Sequence, residues 1–174
     1  LSSSSAASDV YKRQENILIL RTLSKAYSLA GLRFGYGIGA SSLIAPMMYK
    51  TRDSYNTDHI SQKLATAAIE SFEYAQENCN RIRESRNRLR EDLNELGLSA
   101  ADSQSNFILC QVPQAIGAQN LYRHLKQKHI LVRYFDQDRL RDKLRISIGS
   151  DAENAALVAA IKQALSNKEP LSGW

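Results

Sequence analysis

Cysteine is scarce in this sequence: Cys79 and Cys110 are the two in a chain of 174 residues. Both lie in apolar or helical surroundings without cysteine–histidine ligand spacing, so neither a disulfide framework nor a zinc site is indicated. No metal is expected, and a reducing cytoplasm suits such a chain. Long apolar runs are also missing. The longest, Ile17 to Leu20, falls far short of the roughly 20 residues that a membrane helix needs, so no membrane partner is expected. Residues 1–14, LSSSSAASDVYKRQ, lack the apolar central region of a signal peptide. With their serine run and small basic cluster they read as a disordered or artefactual tail.

What remains is ordinary globular material. A 43% hydrophobic and 24% charged composition allows one sizeable core or two small ones. The net charge of +5 bears on solubility and steering rather than on fold. The basic run RIRESRNRLRE, residues 81–91, invites a nucleic-acid reading. However, Ile82 and Leu89 lie a heptad apart and continue to Leu93 and Leu96, which puts the arginines on the other, solvated faces of an amphipathic helix. No aromatic interleaving or recognised motif supports nucleic-acid binding.

The apolar run Ile17–Leu20 predicts a strand buried on both faces. LRFGYGIGA predicts a second strand, whose Gly35, Gly37 and Gly39 permit close backbone approach. Pro46 opens a long helical region in which Leu64, Ala68, Phe72, Ala75, Cys79, Ile82, Leu89, Leu93 and Leu96 recur near helical spacing. Gly97 suits the left-handed position just past its end. Then come NFILCQV as a strand, AQNLYRHLKQKH as a helix, ILVRY and KLRISIG as strands, and AENAALVAAIKQAL as a closing helix. Strand and helix alternate, which predicts an α/β or α+β chain with a boundary inside the long helix.

Lys25 stands just past the first strand in a hydroxyl-rich turn, RTLSKAYSLAG. An ordinary lysine amine, with a pKa of about 10.4, is a poor nucleophile at neutral pH and needs a pocket or an imine to become useful. The chemistry that wants a lysine here is bonding to an aldehyde cofactor. If that cofactor is pyridoxal 5'-phosphate, Thr22, Ser24 and Arg33 offer hydroxyl donors and a fixed positive charge for its phosphate. Gly31 and Gly35 would keep side chains clear. The plain alternative is a surface lysine in a strand-to-strand connection.

The run TLSKAYSLAGLRFGYGIG resembles the cofactor-lysine segment of fold-type I pyridoxal-phosphate aminotransferases, and within them the histidinol-phosphate aminotransferases. SYNTDHISQKLATAAIES resembles the segment leading into that family's interdomain helix, and SQSNFILCQV its first small-domain strand. ILVRYFDQDRLRDKLRISIGSDAENAALVAAIKQAL is similar to its C-terminal end, the pair LVRYF and LRISIG being typical of the histidinol-phosphate branch. The resemblance covers about residues 16 to 166.

It implies an α/β fold in four stretches. These are the tail 1–14, the end of a cofactor-binding large domain over 15–60, a long interdomain helix over 61–97, and a small C-terminal domain over 98–174. It implies that Lys25 forms the cofactor imine and then acts as the base. Ser24, Arg33 and Thr22 would bind the cofactor phosphate. Arg133 and Arg145 would face the substrate, serving the phosphate of histidinol phosphate in one half-reaction and the carboxylates of glutamate or 2-oxoglutarate in the other; for each, a structural salt bridge is the alternative.

The implied protein is a homodimeric transaminase of histidine biosynthesis. The family's upstream aspartate, ring-stacking aromatic, asparagine and tyrosine have no counterpart that can be placed here. The chain therefore resembles a C-terminal half, expected to be inactive alone. Two other readings stay open: a different aminotransferase of this fold, acting on aromatic amino acids or a cobalamin-pathway phosphate substrate, and a non-catalytic fragment.

Overall fold

Residues 15–166 are described in a computed structural model; the expected tail, 1–14, lies outside them. The chain divides into two compact units, Leu1–Asn80 and Arg81–Trp174. Strands and helices alternate, as the patterning predicts.

In the first unit the apolar run forms β1 (Leu18–Thr22), which pairs antiparallel with β2 (Gly35–Gly39), Leu18 opposite Gly39 and Thr22 opposite Gly35. A strand buried on both faces is not what results. Among the described residues these two strands make a two-stranded sheet, and Leu20 is 73% exposed. An apolar run records what a strand is suited to pack against, and no further layer covers this one among the described residues.

The helical region after Pro46 is likewise interrupted. A short helix α1 (Ser41–Pro46) runs into a wider turn at Met47–Thr51, then the chain leaves helical geometry until α2 (His59–Glu70), and Ser71 separates α2 from α3 (Phe72–Glu95). Asp58 starts α2 as its N-cap, accepting from Ser61 N–H at 2.8 Å. The Ser61 hydroxyl and then that backbone bond hold the Asp58 carboxyl below its ordinary range. Leu64 and Phe72, expected on a buried stripe, are exposed.

The end of α3 follows expectation. Gly97 takes a positive φ of 82°, Leu98 N–H bonds back to Leu93 O at 3.0 Å and Gly97 N–H to Asn94 O at 2.9 Å. This is the paired closure of a Schellman motif, and only glycine takes that left-handed position without strain.

The second unit is a four-stranded antiparallel sheet in the order β3 (Ser99–Ala100), β4 (Phe107–Gln111), β6 (Lys143–Ser147), β5 (Arg133–Tyr134), with helices α4 (Ala118–Gln127) and α5 (Asp151–Ser166). Side chains alternate across a strand. On one face Ile108, Cys110, Leu144 and Ile146 are buried; they join Leu89 and Leu93 of α3, Leu121 and Leu125 of α4, and Leu157 and Ile161 of α5 in one core. Each such aliphatic side chain contributes about 1.5–3 kcal/mol by leaving water. On the opposite face Phe107, Leu109, Lys143, Arg145 and Ser147 stay partly or fully exposed among the described residues. Burial of the Cys110 thiol among apolar neighbours pushes its pKa up to about 11.

Arg86 corrects the picture of a uniformly solvated basic face. It is buried and its Nη1 donates to Ser105 O at 2.9 Å, fixing the turn that leads into β4. Beside it, buried Ser85 accepts from Asn154 Nδ2 at 2.9 Å, while Asn154 also closes the turn at Gly149.

Candidate active site

The lysine segment is a loop closed at its neck by backbone pairing. Thr22 stands opposite Gly35 in the sheet, and one step beyond, Leu23 N–H bonds to Phe34 O at 3.2 Å. Leu23 is fully buried and anchors this neck. Ser24 and Arg33 are the next residues on either side of this bonded pair.

Thr22 Oγ1 donates to Ser24 Oγ at 3.0 Å and accepts from Ser24 N–H at 3.1 Å. The Ser24 hydroxyl thereby has its oxygen engaged and its own hydrogen left to donate outward. Lys25 follows; its carbonyl accepts from Ser28 N–H at 3.0 Å, and Ala26 O accepts from Asn78 Nδ2 at 3.3 Å, tying the turn to the start of α3. Lys25 itself is exposed. The pocket that lysine chemistry requires is not formed by the described residues.

Two of the four non-glycine residues with positive φ among the described residues lie in this loop. Ser28 (φ 57°) and Arg33 (φ 54°) both occupy the left-handed region, at about 1–3 kcal/mol each for residues with a Cβ. Arg33 follows a single 3-10 turn, Ala30–Leu32, rather than lying in the second strand as the sequence predicts; its Nη1 donates to Ala30 O at 2.8 Å. Among the described residues its other guanidinium donors meet no hydrogen-bond partner.

The glycines divide. A Cβ on Gly35 would stand 2.8 Å from Arg21 O, whereas one on Gly31 would meet nothing within 4 Å. Gly35 therefore keeps side chains clear and Gly31 does not need to. Tyr27 lies within the same loop, and burial raises its phenol pKa above the ordinary value. Two hydroxyls, a guanidinium, a lysine amine and a glycine that admits no side chain make a donor set that fits a phosphate-bearing aldehyde such as pyridoxal 5'-phosphate.

The other two expected site residues lie in the second unit. Arg133 of β5 stands directly opposite Arg145 of β6, on the open face of the sheet, so the structure makes them neighbours. Arg145 Cζ lies 5.3 Å from the Phe107 ring centroid and 5.6 Å from that of Phe135, and Arg133 Cζ lies 5.3 Å from Phe135. By contrast, Arg88 pairs with Asp151, Arg90 with Asp102, and Arg141 with Asp136 and Asp138. The salt-bridge alternative for Arg133 and Arg145 finds no carboxylate among the described residues. Phe107 and Phe135 escaped the sequence reading, although the spacing of Arg133 and Phe135, two apart, places both on one face of an extended segment.

Residues 2–161 match the family model for aminotransferase class I and II; the match begins inside the stretch read as a tail. The chain is 48% identical over 155 residues to the histidinol-phosphate aminotransferase of Microcystis aeruginosa, covering 89% of this chain and 44% of that protein. Among solved structures it resembles the histidinol-phosphate aminotransferase of Clostridium acetobutylicum, with a TM-score of 0.85 and 25% identity, covering 94% of this chain and 50% of that one. It also resembles that of Sinorhizobium meliloti in complex with pyridoxal-5'-phosphate, with a TM-score of 0.78 and 30% identity, covering 90% and 43%. The chain spans less than half the length of these curated relatives, 44% to 46% of the first three.

Proposed function

Because the chain belongs to the aminotransferase class I and II family, we propose that the protein carrying it transfers an amino group between L-histidinol phosphate and 2-oxoglutarate, giving imidazole-acetol phosphate and glutamate. The observation that carries this reading is the loop neck, where the Thr22–Ser24 hydroxyl pair and Arg33 lie on opposite sides of the Leu23–Phe34 bond, with exposed Lys25 next in the chain. The choice of substrate is supported by the named relatives, and the cofactor by the Sinorhizobium complex.

Pyridoxal 5'-phosphate, when bound, supplies an electron sink that acidifies the hydrogen on the substrate α-carbon. Lys25 would hold the cofactor and would move the proton at that α-carbon. Ser24 donates its hydroxyl hydrogen to the phosphate, Thr22 orients Ser24, and Arg33 adds a charge that never titrates near neutral pH. Arg133 and Arg145 receive the substrate anions, since one guanidinium fork binds either a phosphate or a carboxylate.

No helix among the described residues is long and apolar enough to cross a membrane, and a cytoplasmic homodimer is part of the proposal.

Borohydride treatment of the protein with pyridoxal 5'-phosphate tests the lysine. The cofactor's mass should appear on a peptide running from Thr22 to Arg33, because a modified Lys25 blocks tryptic cleavage there. Label found only on other lysines would refute the assignment. Turnover of histidinol phosphate with 2-oxoglutarate tests the substrate, and bleaching of the cofactor absorbance by aromatic amino acids instead would replace it.

A further inference from the structure

Arg133 and Arg145 face each other across β5 and β6, and like charges directly opposite in an antiparallel pair repel. The carboxylates that pair with Arg88, Arg90 and Arg141 have no equivalent here among the described residues. What both cations share is the Phe135 ring, 5.3 Å from Arg133 Cζ and 5.6 Å from Arg145 Cζ. Phe107 adds a second ring for Arg145 alone, at 5.3 Å.

A carboxylate partner would occupy the N–H edge of a guanidinium. A ring attracts the cation through its π-face and takes none of the five N–H donors. Rings therefore hold these arginines while leaving their donors to a ligand. The shared ring also sets the two forks side by side before any anion arrives, which lowers the ordering cost of binding.

We propose that Phe135 is a positioning residue, the common platform that holds Arg133 and Arg145 together as one preorganised oxyanion receptor, with Phe107 fixing Arg145 from its other side. The receptor's use in transamination rests on the function proposed above; the platform itself does not.

The test uses the whole 174-residue chain, labelled with 15N-arginine, and inorganic phosphate as probe. In Phe135→Leu the Nε–H resonances of both arginines should lose their ring-current shift, and phosphate affinity should fall about tenfold. Phe135→Tyr should restore both. Phe107→Leu should move the Arg145 resonance and leave Arg133 in place, which keeps the arrangement testable if Phe135→Leu fails to fold. Arginine resonances unmoved in Phe135→Leu, or a Phe107→Leu that shifts neither or both, would overturn the platform. Resonances that move while phosphate affinity stays within about twofold overturn its positioning role. A parent chain that does not bind phosphate would refute the anion-receiving role of the arginines, and the resonance shifts would then decide the platform alone.

Discussion

Arg145→Ala separates a ligand-binding arginine from a structural one, because the two roles predict losses of different size. On the structural side, Arg145 is exposed, makes no ion pair among the described residues and touches two rings, Phe107 and Phe135. An exposed contact of this kind is worth about 0.5–1 kcal/mol. Relief of the repulsion from Arg133 returns ~0.2–1 kcal/mol, so folding stability should change by only ~1 kcal/mol. On the functional side, losing a charge-assisted contact to a substrate anion costs about 1.5–3 kcal/mol, roughly tenfold to over a hundredfold in affinity. Both substrates should suffer under the proposed function, in which one fork serves both anions. The assay is kcat/KM for histidinol phosphate and for glutamate in the protein carrying this chain, beside a urea unfolding curve. Arg145→Lys should recover part of the loss, retaining charge without the planar fork. Unchanged kinetics with both substrates, or a loss confined to stability, would refute the reasoning.

Three further outcomes follow from particular contacts. Gly35→Ala should destabilise the first unit by about 1–3 kcal/mol, since its Cβ meets the Arg21 carbonyl at 2.8 Å, while Gly31→Ala, with nothing within 4 Å, should stay within ~0.5 kcal/mol; equal thermal shifts would contradict this. Leu144→Ala removes a fully buried side chain of the second core and should cost about 2–5 kcal/mol in chemical denaturation; a loss below ~1 kcal/mol would show that the cavity collapses. The Cys110 thiol, held up to about 11 from 9.0 by burial, stabilises the fold fully below pH 9. That contribution should fade as pH rises through about 11, because the unfolded thiol ionises first. At pH 8 iodoacetamide should label part-exposed Cys79 and spare buried Cys110, and equal labelling would refute it.

The parts of this molecule that sequence made legible are those governed by local chemistry. KLRISIG was legible as a strand, and Gly97 as the residue just past the end of its helix. What sequence hid depends on contacts between distant positions. Phe107, Phe135 and Arg145 meet only because β4, β5 and β6 fold side by side, and no local period encodes a ring under a guanidinium. Arg86 looked like its solvated neighbours on α3, since helical spacing marks the apolar face but not a carbonyl waiting at Ser105. Arg33 read as part of an extended run, yet a 3-10 turn put it in the left-handed region. The run Ile17–Leu20 showed a strand suited to burial and said nothing of which layers stand beside it.

The two faces of the second unit's sheet divide the sequence into letters that can be rewritten and letters that cannot. Along β6, even positions answer to the core and odd positions, 143, 145 and 147, face away from it; β4 does the same with 108 and 110 against 107, 109 and 111. A substitution on the open face changes charge, reach and aromatic support without disturbing the packing that keeps the strands in register, provided it is not also strand-breaking. Charge and side-chain reach on this surface can therefore drift, or be redesigned, one alternate residue at a time while the fold stays intact. An insertion or deletion of a single residue in β6 has the opposite character. It would turn Arg145 into the core and Leu144 out of it, so this stretch should accept many exchanges of letter and no change of length.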